Sequence, residues 1–107
     1  MIEPGLDRHE WESEWQGLEP LIVDSPTEAL PEVHALIERM LTARGYLTEE
    51  RTAADGADPE ILAEYVAGSE VVQRIDAGEP VDPSEIGSAV SGYRNLYEFL
   101  IEERATP

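Results

Sequence analysis

The chain has 107 residues, with 24 acidic against 7 basic side chains and a formal net charge of −17. That length suits one domain with one core, and 41% hydrophobic content supports folding despite the charge. The charge balance excludes simple electrostatic binding to nucleic acid or to an anionic membrane, both of which need clustered basic residues. The absence of cysteine removes disulfides, thiolate catalysis and cysteine metal sites.

All seven basic residues are Arg, so Schiff-base chemistry and a phosphate-binding lysine are also unavailable. The first residues, Met1-Ile2-Glu3-Pro4-Gly5, lack the basic and apolar stretches of a signal peptide. No apolar run approaches the roughly 20 residues that span a bilayer. The expectation is a cytoplasmic protein.

Taken in order, the first helix is expected from about Asp7, where Asp7 and Glu10 have capping-box spacing. It carries Trp11, Trp15, Leu18 and Ile22 on one stripe. Pro20 lacks a backbone N–H and crowds the preceding turn, which predicts a kink or an early end there. The second helix is expected from Pro26 to Arg44, opened by Ser25 with Glu28 and apolar along Leu30, Val33, Leu36, Ile37, Met40 and Leu41. Pro31 lies inside it and favours a regular helix only from that point. Gly45 suits a left-handed stop, with Tyr46 folding back onto Leu41.

Residues 48–57 read as a mobile polar loop. The third helix follows from Pro59, capped by Asp58, to Ala77, with Gly78 as its stop and Ile61, Tyr65, Val72 and Ile75 inward, and Gly68 on that stripe marks close helix approach or a break. Asp82 with Glu85 opens the fourth helix, Pro83 to about Arg104, which buries Ile86, Val90, Tyr93, Tyr97, Leu100 and Ile101. No segment alternates at period two. The fold class is all-α: a compact bundle of three to five helices in one domain covering residues 1–107.

His34 and Glu38, at i and i+4, share a helix face as metal ligands can, but neither histidine has the Glu-x-x-His spacing of di-iron bundles. Glu10/Glu14, Glu28/Glu32, Glu60/Glu64 and Glu98/Glu102 repeat the same spacing. Such pairs hold Mg²⁺ in helical nucleotide hydrolases, yet here they read first as solvated surface. No nucleophile elbow and no glycine-rich phosphate loop is present. The expectation is therefore no catalytic residue, no metal site and no cofactor.

Trp15-Gln16-Gly17 resembles the short signature of the WXG family of small secreted helical-hairpin proteins, and Tyr46-Leu47-Thr48-Glu49-Glu50 resembles its Tyr-x-x-x-acidic export tag. In that family the first motif marks the turn between two helices and the second stands at the tail. Here one falls inside the first helix and the other in mid-chain.

The fourth helix has a second apolar edge through Gly92, Leu96 and Phe99. Either Trp11 and Trp15 of the first helix cover it, or it meets another chain. The candidate interaction surface is therefore Leu96 and Phe99 with the flanking Glu103. The function expected is a non-enzymatic, acidic helical interaction or regulatory module. Its partner would be another protein, basic or bearing an apolar groove, or a second copy of itself. The alternative is a small metal-dependent hydrolase using clustered Glu side chains on a phosphorylated substrate.

Overall fold

Proline and aspartate at helix starts, and glycine at helix ends, punctuate this chain. A computed structural model describes residues 4–50 and 52–102, with side chains from Arg8 onward. Four helices occupy these residues: α1 (Pro4–Asp24), α2 (Pro26–Ala43), α3 (Pro59–Asp76) and α4 (Pro83–Glu102). No strand occurs among the described residues; Leu47 and Ala53 form a single isolated bridge.

Two caps form as their sequences imply. The Asp58 carboxylate accepts from the Glu60 N–H at 2.9 Å, with Pro59 at the first helical position. At α4 the box closes in both directions: Asp82 accepts from the Ser84 N–H, and the Glu85 carboxylate accepts from the Asp82 N–H. Both glycine stops are Schellman endings. Gly45 and Gly78 have φ of 87° and 75°, and the residues after them donate to Leu41 and Arg74 across the last turn.

The other two starts differ from expectation. Ser25 makes no side-chain cap bond; it is the single residue between α1 and α2, and its N–H donates to the Leu21 carbonyl. Asp7 lies inside α1, which already begins at Pro4, so it is not the cap residue. Its side chain falls outside the described residues.

Both internal prolines are accommodated. The helix runs through Pro20 to Asp24 and starts at Pro26, not Pro31. The carbonyls that lose a donor belong to Gln16 and Thr27, both exposed residues, while buried Trp15, Ile22, Ala29 and Leu30 hold the flanking turns in place. Packing outweighs the local cost. The segment after α2 folds back on itself: Thr48 N–H donates to the Thr52 carbonyl, Ala54 N–H to Tyr46, and Leu47 is buried.

The core sits between α2 and α4. Each touches all three other helices, whereas α1 and α3 flank this pair without touching each other. The α2 stripe read from sequence is buried throughout. On α4, Ile86, Ala89, Tyr93, Leu96, Leu100 and Ile101 are buried, with Val90 and Tyr97 half-covered.

Candidate functional site

Close packing of α2, α3 and α4 first brings together a polar cluster. Gly68 on α3 allows it: a Cβ there would lie 2.5 Å from the Tyr93 ring carbon that bears the hydroxyl. Tyr93 therefore fills the space beside the α3 backbone and directs its hydroxyl to His34 Nδ1 at 2.8 Å. His34 Nε2 lies 3.1 Å from Glu38 Oε2, and the Tyr65 hydroxyl donates to that same oxygen at 2.6 Å.

A carboxylate can only accept, so Nε2 carries the histidine proton. In the tautomer protonated at Nε2, Nδ1 is the acceptor for the Tyr93 hydroxyl. Each donor of this four-residue cluster then has an acceptor. The His34 ring also stacks on Tyr65 at 5.4 Å. Burial raises the Tyr93 pKa, and the neighbouring Tyr65 and Glu38 push it further up, so its hydroxyl stays a proton donor.

The i, i+4 spacing of His34 and Glu38 thus builds a helix-to-helix tie. Among the described residues no three His, Asp or Glu side chains converge as metal ligands. The glutamate pairs do not gather: Glu14 is taken by Arg39, while Glu10, Glu28, Glu32, Glu60, Glu64, Glu98 and Glu102 are exposed.

Of the expected surface of Leu96, Phe99 and Glu103, the first two lie among the described residues. Leu96 is core, at 1% exposure. Phe99 is 43% exposed and meets Tyr46 edge-on at 6.3 Å between ring centres. Glu103 lies outside the described residues. Trp15 of α1 meets a different flank of α4, where it stacks on Tyr97 at 4.3 Å and 10°. Trp11 lies under the Arg44 guanidinium at 5.0 Å.

Each arginine among the described residues is held by a neighbour. Arg8 pairs with Glu12, Arg39 with Glu14, Arg74 with Glu85 and Arg94 with Glu19, while Arg44 donates to the Leu100 carbonyl. Glu19 also accepts from Trp15 Nε1 at 2.7 Å. Burial pushes the Glu19 pKa up, but the bonds from Arg94 and Trp15 and the guanidinium charge outweigh it, leaving the pKa below the usual range.

Two grooves flank α4. One, of about 260 Å³ between α3 and α4, is lined by small residues and carboxylates, including Gly68, Ser88, Gly92, Glu64 and Glu85. The other, of about 300 Å³, lies where the end of α1 meets the starts of α2 and α4. Its walls are Ile22, Pro26, Val81, Ile86 and Val90, with Thr27, Pro83 and the exposed Gly87 completing the lining. The reading of separate helices missed this groove, because it forms where the α1–α2 junction meets the start of α4, a segment remote in sequence. One local signal points to it: Val81 and Ile86 bracket the Asp82 cap at the two positions of a hydrophobic staple.

No family model, curated protein or solved structure matches this chain.

Proposed function

We propose that this chain is a non-enzymatic interaction module that binds a basic protein, and that its acidic surface attracts and aligns that partner. The observation that carries the reading is the commitment of every described arginine to an internal contact. With a net charge of −17, the acidic excess then faces solvent without an opposing basic patch among the described residues. A field of one sign speeds encounter with an oppositely charged partner and repels phosphate backbones. The polar cluster supports the same reading, since its groups bond one another across three helices.

The test is quantitative capture of partners by the tagged protein from its native host, followed by reconstitution with the purified candidate. The expected partner is a cationic protein whose saturable binding weakens steeply as salt rises. Multiple turnover of a phosphorylated substrate with Mg²⁺ by the purified chain, without a protein partner, would contradict this reading and restore the hydrolase alternative. No described helix is long and apolar enough to cross a membrane.

A further inference from the structure

Binding energy needs a surface where apolar groups leave water, and charge alone gives rate more than affinity. Among the described residues, the groove at the α1–α2–α4 corner supplies such a surface. Its walls are mainly aliphatic and proline side chains, and no charged residue lines it. The residue after Ile22, Val23, is 77% exposed, the highest value for any large apolar side chain among the described residues. Acidic residues edge the lining in sequence: Asp24 and Glu28 beside Pro26 and Thr27, and Glu79 and Asp82 beside Val81. All four are exposed.

The volume limits the occupant. An apolar cavity of about 150 Å³ holds one benzene-sized group. At about 300 Å³ the groove accommodates two aliphatic side chains, or one aromatic with a smaller neighbour, and is too small to enclose most drug-sized ligands. The charge limits it further. A second copy would bring its own excess of carboxylates beside the four that flank the lining in sequence, and like charges across an interface cost affinity. A cationic segment brings the opposite sign.

We infer that the α1–α2–α4 groove is the docking site for a cationic amphipathic helix, which inserts one or two aliphatic side chains between Ile22, Val81 and Val90 while its Lys or Arg residues meet Asp24, Glu28, Glu79 and Asp82. This rests on the interaction reading above and specifies its site. Recognition of a helix by apolar anchors in a groove, with charge selecting the partner, is a general mode that needs no prior opening of the bundle.

Gly87 gives a clean test. It lines the groove, is exposed, and has no atom within 4 Å of where a Cβ would stand. Gly87→Met therefore fills the groove while improving helix propensity, so loss of folding does not confuse the result. The probe is a short synthetic amphipathic helix of Leu and Lys, titrated calorimetrically at physiological salt. Saturable single-site binding is expected. It should weaken at least about tenfold with Gly87→Met and with Val90→Ser, equivalent to about 1.4 kcal/mol, and stay within about twofold with Phe99→Ser.

A probe with every Leu replaced by Ser, at unchanged charge, should lose affinity likewise, and a Leu/Glu probe should not bind. Equal binding by parent and Gly87→Met overturns the groove as the site while leaving the interaction reading intact. Equal binding by the Ser probe overturns the apolar anchor. No binding of either cationic probe overturns the groove proposal and counts against the charge-based reading, whose own test in the native host then decides it separately.

Discussion

The His34–Glu38–Tyr65–Tyr93 junction and the groove beside Gly87 both lie along α4, and they treat unsatisfied groups in opposite ways. At the junction polar side chains are drawn inside, and each hydroxyl and ring nitrogen finds a partner on another residue. At the groove Val81 and Val90 are only partly covered beside buried Ile22 and Ile86, and Val23 next to it stands in water. Leaving a buried polar group unpaired costs about 1–3 kcal/mol, so the closed junction reads as architecture. Exposed aliphatic surface costs little at one residue but gains when a partner covers it. Chemistry-bearing residue types thus mark the structural site here, and bland ones mark the candidate binding site.

Glycine substitutions give the sharpest break between the two regions. Gly68→Ala places a methyl group against the Tyr93 ring, which is buried and cannot swing away. It should destabilise the fold by about 2–3 kcal/mol in urea titrations, despite alanine's higher helix propensity. Gly87→Ala should instead stabilise by up to about 1 kcal/mol, since nothing opposes the new methyl. Effects of equal sign at the two positions would erase the distinction between a filled seam and an open wall.

Tyr93→Phe keeps the ring and removes the donor to His34 Nδ1, for an expected loss of about 1–2 kcal/mol. The pH dependence gives an independent handle. The Tyr93 pKa is raised in the folded state above its ordinary 10.0, so its contribution is full below that value and is lost as pH climbs through the folded pKa. The alkaline loss of stability should be shallower in Tyr93→Phe than in the parent.

At the far end of α4, Phe99→Ala should cost about 1 kcal/mol, well short of the roughly 3–5 expected for a core aromatic. A core-sized loss would mean that Phe99 is held by more than the Tyr46 edge. Smallest of all, Glu19→Gln should cost about 0.5 kcal/mol, because its pair with Arg94 is partly exposed. The folded pKa of Glu19 is lowered, so this contribution is present above its ordinary 4.5 and disappears as pH falls through the folded value. The gap between parent and variant should close in acid.

Most of the fold was legible because its signals are local. The Asp58-Pro59 and Asp82-Pro83 starts, the Gly45 and Gly78 stops and the α2 stripe each act within one or two turns. Pro20 and Pro31 misled because the local penalty is real, yet the buried residues around each proline outweigh it. Leu96 and Phe99 were grouped on one edge by helical angle alone. Which edge α2 buries depends on how α2, α3 and α4 meet, and no single-helix pattern contains that. The His34–Tyr93 bond, spanning 59 positions, was hidden for the same reason. Gly68 gave the nearest warning: a glycine on an inward stripe marks a close approach without naming what approaches.

The most direct test of the binding account is a titration of ¹⁵N-labelled protein with the Leu/Lys helix, following every backbone amide. The account predicts saturable shifts concentrated at residues 22–28 and 79–90, with the signals of His34, Glu38, Tyr65 and Tyr93 nearly still. Shifts centred on those four residues, or spread evenly over the acidic surface without saturating, would contradict it.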